Sequence, residues 1–134
     1  ATYVIFDSPL NMLCDNPSNY KREPECTAFI ARIPTVWDET LGLDGKVGEY
    51  ITMARRSGDE WYVGGLTNWD KRDIIVDLSF LGEGFYEIEL FKDGINADRA
   101  ACDYKRVVMP VPEDRQLKVT LFPGGGFAGR IERR

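Results

Sequence analysis

Histidine is absent from all 134 residues. That excludes Ser-His-Asp and Cys-His catalysis and every histidine metal site. Cysteine is scarce. Cys14, Cys26 and Cys102 are odd in number and widely spaced, and no zinc-ligand spacing fits them. They read as reduced, half-buried apolar side chains, with a Cys14–Cys26 disulfide as the alternative. No apolar run approaches the ~20 residues of a membrane span, and no secretory leader is visible. Positive charge is outweighed: a net charge of −5 argues against a nucleic-acid or anionic-membrane partner. Internal repeats and low-complexity segments are lacking too.

What is present suffices for a core. With 43% hydrophobic and 12% aromatic residues, a chain of this length buries roughly two thirds of its unfolded surface. The centre of the pattern is Gly48–Thr67. Tyr50 to Arg56 is rich in aromatic and β-branched residues, as strands are. Ser57-Gly58-Asp59 is a turn cluster, and Glu60 to Thr67 returns as a second strand. Both strands carry apolar residues on both alternating faces, which predicts a central hairpin covered on both sides.

Upstream, the chain opens on Ala1 and runs straight into Tyr3-Val4-Ile5-Phe6. That reads as the end of a helix and as part of a longer protein. Leu10 to Cys14 is strand-like, and Asp15-Asn16-Pro17 is a loop signal. Pro24 suits a first helical turn. Cys26, Phe29, Ile30 and Ile33 follow at i, i+3, i+4 and i+7, one helical face, and Pro34 stops the helix. Residues 1–34 thus read as an α/β piece. Thr35 to Thr40 is then strand-like, and Leu41 to Lys46 reads as a loop.

Downstream, Ile74, Val76 and Leu78 alternate with polar residues, as do Tyr86, Ile88 and Leu90, and Leu117, Val119 and Leu121. Arg106 to Val111 and Phe127 to Glu132 complete the strands, with Asp93 to Asp103 a long polar loop and Pro123-Gly124-Gly125-Gly126 a tight turn. About eight strands at regular spacing are the signature of an antiparallel β-sandwich of Greek-key or Ig-like type. The chain is therefore mainly β, with a sandwich over 35–134.

Several stretches carry a resemblance. They are Ser8 to Asp15 with Pro17 to Tyr20, Pro34 to Thr40, Gly48-Glu49-Tyr50, Ala54-Arg55-Arg56 and Trp61 to Gly64. Further on come Leu78 to Leu81, Asp93 to Arg99, Asp103-Tyr104 and Pro123 to Gly126. In order and spacing they resemble the C-terminal part of family 97 glycoside hydrolases, bacterial α-glucosidases and α-galactosidases. The resemblance implies that 1–34 is the last strand and helix of a catalytic (β/α)8 barrel and that 35–134 is the C-terminal β-sandwich. It implies an upstream catalytic barrel as partner and a periplasmic or secreted location. It places the catalytic carboxylates, and the calcium of inverting members, outside this chain, so no catalytic or metal residue and no cofactor is expected here.

Candidate site residues are few. Asp15, at the end of its strand, either lines the sugar pocket at the barrel's C-terminal face or caps the following turn. A glycosidase needs two carboxyl groups ~5–9.5 Å apart, so one aspartate is not enough. Asp38 and Glu39 are expected on opposite faces of an exposed strand, not as a catalytic pair. Asp93, Asn96, Asp98 and Asp103 share one loop, but their spacing fails the calcium-loop pattern. Trp61 and Tyr62 face apart and cannot form one sugar platform. Trp69, in a loop, is the candidate carbohydrate contact if the chain is instead a carbohydrate-binding module. The glycine turn lacks the lysine and helix of a phosphate cradle.

A final expectation concerns assembly. Tyr3, Ile5, Phe6, Leu10, Met12, Phe29 and Ile30 would lose a barrel neighbour, at ~1.5–3 kcal/mol for each large side chain left wet. This predicts an ordered arm and a homo-oligomer formed through residues 1–34.

Overall fold

The computed structural model describes residues 1–6, 15–100 and 102–134. The strand expected at Leu10–Cys14, and with it the placement of Leu10, Met12 and Cys14, lies outside the described residues. Among the described residues three short helices come first: α1 (Thr2–Ile5), α2 (Pro17–Arg22) and α3 (Pro24–Arg32). Eight strands follow among the described residues: β1 (Glu39–Lys46), β2 (Tyr50–Ser57), β3 (Glu60–Thr67), β4 (Arg72–Asp77), β5 (Tyr86–Asp93), β6 (Tyr104–Pro110), β7 (Gln116–Leu121) and β8 (Gly126–Arg133). All pairings are antiparallel. A six-stranded sheet runs β1-β2-β3-β8-β5-β6, and a two-stranded sheet pairs β4 with β7. The mainly β, sandwich-type fold with a short helical lead is thus what the alternating pattern indicates.

The central hairpin forms as read. Ser57 pairs with Glu60 across a two-residue loop. Gly58 takes φ +60° there, the left-handed first position of a type II′ turn. β3 lies between β2 and β8, covered on both faces. On one face Val63, Ile88, Leu90, Phe127 and Ile131 meet Val76, Leu78, Leu117, Val119 and Leu121 of the small sheet and its flanks. On the other, Val4, Phe29, Tyr62, Phe91 and Ala128 form a second cluster with Cys26, Ile33, Trp37 and Tyr104 around it. The sheet is the middle layer of three.

Three local expectations change. The strand placed at 35–40 is irregular up to Asp38, and β1 occupies 39–46, where a loop was read. Gly42, Asp44 and Gly45 read as turn residues. At a sheet edge they are tolerated, and the register shift between Gly42 and Asp44 is a bulge of the kind found there. Second, Asp15-Asn16-Pro17 begins a helix instead of a loop. The Asn16 side chain accepts from Asn19 N–H, and Pro17 fills the first helical position, so the same residues serve as a cap. Third, Cys102 is exposed; only Cys26 is half-buried among the described cysteines, and both are free.

Residues of the helical arm fold onto this chain's own sheet. Val4 is 0% exposed, Ile5 6% and Phe29 5%. Gly64 makes room for α1: a Cβ there would stand 3.1 Å from the Val4 side chain. Arg55, itself buried, donates from Nη2 to the Ile5 carbonyl at 2.9 Å and lies over the Trp37 ring. On the opposite face, a Cβ at Gly65 would meet the Phe127 ring at 2.3 Å.

Three outcomes follow. Gly65→Ala lowers unfolding stability in urea by ~1–3 kcal/mol, because the Phe127 ring must move in a packed core. Gly42→Ala, with nothing within 4 Å of the new methyl, stays within ~0.5 kcal/mol of the parent. Arg55→Met removes a charge-assisted hydrogen bond of ~1.5–3 kcal/mol. Amide exchange at Val4–Phe6 then accelerates by roughly ten- to hundredfold while the β3 and β8 amides stay protected; equal acceleration everywhere would contradict a local clasp.

Candidate functional site

Most of the carboxylates singled out from the sequence are occupied with structural work, while Asp98 stands exposed in its loop. Asp15 is exposed ahead of α2. Its Oδ1 accepts from Asn16 N–H at 2.8 Å and from Asn19 Nδ2 at 2.7 Å, and its own N–H donates to the Tyr20 hydroxyl. The hydrogen bond from Asn19, then that from the Asn16 amide, hold its carboxyl below the usual range. These contacts serve the cap of α2.

Asp38 and Glu39 do not stand on opposite faces of one strand. Asp38 precedes β1, accepts from Gly58 N–H at 2.8 Å and lies 3.9 Å from Arg56. Glu39 lies 3.4 Å from the same arginine. The bend before β1 brings both to one guanidinium, so they brace the hairpin turn.

In the acidic loop after β5, two of the aspartates hold main-chain amides. Asp103 accepts from Asn96 N–H at 2.8 Å, and its carbonyl accepts from Gly94 N–H. Asp93 turns away to accept from Phe122 N–H at 3.1 Å. Desolvation pushes its carboxyl above the usual range, against the pull of hydrogen bonds from Phe122 and Gly126. Among the described residues no group of three or more Asp, Glu or Cys stands close enough to hold a metal ion.

The aromatic candidates separate. Trp61 packs on Phe80 at 4.5 Å between centroids, inside the sandwich. Tyr62, 1% exposed, is on the helix face, edge-on to Trp37 at 5.3 Å. Its hydroxyl donates to the Arg32 carbonyl at 2.9 Å and also lies 3.1 Å from Glu60. Burial, then the Glu60 charge, raise its pKa well above the ordinary tyrosine value. Trp69 alone is solvent-facing, at 83%. Its indole sits on the Phe122–Gly125 turn, where a Cβ at Gly124 would come within 3.0 Å. Gly124 has φ +69° and Gly125 N–H returns to the Phe122 carbonyl, a type II turn.

Sequence reasoning missed two features. Glu89, only 12% exposed, gathers Arg106 at 2.9 Å, Arg130 at 3.6 Å and Arg32 at 3.7 Å. Arg130 also meets Glu60 at 3.0 Å. Tyr62↔Arg130↔Glu89 are in register across β3, β8 and β5, so strand pairing assembles the group. The second is the Arg55 clasp on α1. An arginine pair at 55–56 gives no signal that one member is buried. Both features fasten the helical arm to the sheet.

Comparison with known proteins agrees with that geometry. A protein-family model described as "Glycosyl-hydrolase 97 C-terminal, oligomerisation" matches residues 36–132. A retaining alpha-galactosidase of Bacteroides thetaiotaomicron is 65% identical over 132 residues, which is 98% of this chain and 20% of that protein. A probable retaining alpha-galactosidase of Streptomyces bingchenggensis is 33% identical over 125 residues, 93% of this chain and 19% of that protein. The solved structure of a family 97 glycoside hydrolase from Pseudoalteromonas sp. strain K8, in complex with panose, superposes with a TM-score of 0.92 at 34% identity. It covers 99% of this chain and 22% of the larger one. This chain thus spans about a fifth of the length of these relatives. The match over the sandwich and the superposition of the whole chain lead to one conclusion: the chain belongs to the C-terminal domain family of glycoside hydrolase family 97.

Proposed function

We propose that this chain is the C-terminal part of a larger glycosidase that hydrolyses α-galactosides with retention of configuration. Its own task is to hold subunits and domains together, without catalysis. The observation that carries the reading is the 65% identity, over nearly the whole chain, to one fifth of a retaining alpha-galactosidase. Retention requires two carboxyl groups ~5–5.5 Å apart flanking the glycosidic bond. The carboxylates described above are spent on arginines and main-chain amides, which supports placing catalysis upstream. On this reading residues 1–34 are the last strand and helix of the catalytic barrel. The arm's packing on the sheet through Val4 and Phe29 then fixes how barrel and sandwich meet. An oligomer contact made by the arm itself would rest on Phe6, which is 60% exposed.

The purified 134-residue chain is expected to release no nitrophenol from p-nitrophenyl α-galactoside or α-glucoside at any enzyme concentration. The intact protein is expected to cleave the galactoside, with the α-anomer as first product by proton NMR. Turnover by the isolated chain, or a β-anomer from the intact protein, would remove the reading. A binding module is the other class to test, since Trp69 is exposed. Migration of the chain through a gel containing starch should equal that in a plain gel.

A further inference from the structure

The exposed apolar side chains of the sandwich are mostly scattered. Ile75 is on the small sheet, Phe85 precedes β5, Ile95 is in the acidic loop and Val108 is on edge strand β6. Three others lie on segments that meet at one end of the sheet. Val47, at the tip of the β1–β2 turn, is fully exposed; Ile51 follows in β2 and is 37% exposed; Trp69 follows β3 at 83%. They are held close by the main chain. Asn68 N–H donates to the Glu49 carbonyl at 2.8 Å, Asn68 Nδ2 to the Gly48 carbonyl at 3.1 Å, and Gly124 N–H to the Asn68 carbonyl at 2.7 Å. A groove of about 510 Å³ is lined by Val47, Tyr50, Ile51 and Leu66, with Lys46, Glu49 and Asn68 at its polar parts. Trp69 follows Asn68 directly in the chain, so an exposed tryptophan is carried on a braced loop that leads out of this groove.

The polar groups around this groove are already engaged. The Tyr50 hydroxyl donates to Asp44 at 3.0 Å. Asn68 Oδ1 accepts from Asp70 N–H, and the Thr67 hydroxyl donates to the Asp70 carbonyl and accepts from Arg72 Nε. Glu49 is paired with Lys46 at 3.0 Å and Arg72 at 3.4 Å. A sugar needs hydrogen-bonding partners as well as an aromatic face, and here those partners are spent. The surface suits an apolar protein partner, and aromatic anchors such as tryptophan dominate such contacts. The region described as oligomerising spans 36–132. It contains the whole cluster and leaves out the arm, whose Val4, Ile5 and Phe29 are already buried.

We infer that this end of the sandwich is the contact between two copies of the chain, with Trp69 of each seated in the Val47–Ile51–Leu66 groove of the other. The inference rests on the oligomerisation reading and adds the surface and its anchor. A ridge beside a complementary groove satisfies itself twice about a two-fold axis. Sedimentation equilibrium of the 134-residue chain tests it, with thermal unfolding confirming that each variant is folded. Trp69→Ser and Ile51→Lys each raise the dimer dissociation constant at least ~30-fold, while Phe6→Ser leaves it unchanged. An equimolar mixture of Trp69→Ser and Ile51→Lys associates more tightly than either alone, because the mixed dimer keeps one intact tryptophan and groove. A dimer that survives both variants but dissociates with Phe6→Ser overturns the inference and leaves the oligomerisation reading standing. A parent chain that stays monomeric up to millimolar concentration removes both. Retention on immobilised glycan that Trp69→Ser abolishes would give the surface to a sugar and also overturn the inference.

Discussion

Gly64 and Gly65 sit back to back in β3, and the chain uses the space on both sides of them. On one face the ring of Phe127 lies where a Gly65 side chain would project; on the other Val4 lies against Gly64. Successive strand residues point to opposite faces, so two neighbouring glycines thin the sheet at one spot from both directions. Without that thinning the sandwich core and the helical arm could not both approach the central strand. The middle layer would then have one packed face and one wet one.

The arm is fixed by polar contacts laid over this apolar seat. Tyr62 reaches the last turn of α3 through the Arg32 carbonyl, Tyr104 reaches Glu23 at its start, and Arg55 holds the end of α1. Exposed ion pairs contribute little on their own. Those at Glu89 differ because Glu89 and Arg130 are nearly buried, and losing one partner would strand the other's charge in the packed layer. Each anchor comes from a different strand, so the arm's position depends on correct register across β2, β3, β5, β6 and β8.

What the sequence disclosed follows from which signals are local. The β2–β3 hairpin was legible because Gly58 sits between two runs of strand formers, and α3 because Pro24 and the Cys26–Ile33 face coincide. β1 was not, since Gly42, Asp44 and Gly45 are turn residues unless a neighbour supplies the ladder, and β2 supplies it. Val36 and Trp37 suggested a strand, yet Trp37 is used to cover Tyr62 and Arg55. The division into six and two strands depends on long-range pairing that alternation does not encode. The surface with the exposed tryptophan was visible only as a lone Trp69. Val47 and Ile51 lie about twenty residues away; the β2–β3 ladder sets Ile51 opposite Leu66, and the Asn68 hydrogen bonds tie the β1–β2 turn to the loop that carries Trp69.

The open edges of the large sheet bear on how many subunits can join. Among the described residues β1 and β6 are its outermost strands. β1 is broken by its bulge at Gly42–Asp44. β6 carries Lys105 and Arg106 and ends at Pro110, which has no N–H to offer. Bulges, cations and proline are the devices that stop one sheet from extending another. Continuous strand addition would give a filament. With both edges blunted, association is left to side chains at the ends and faces of the sandwich, where contacts can close on themselves. Contacts of that closing kind stop at a finite number of copies.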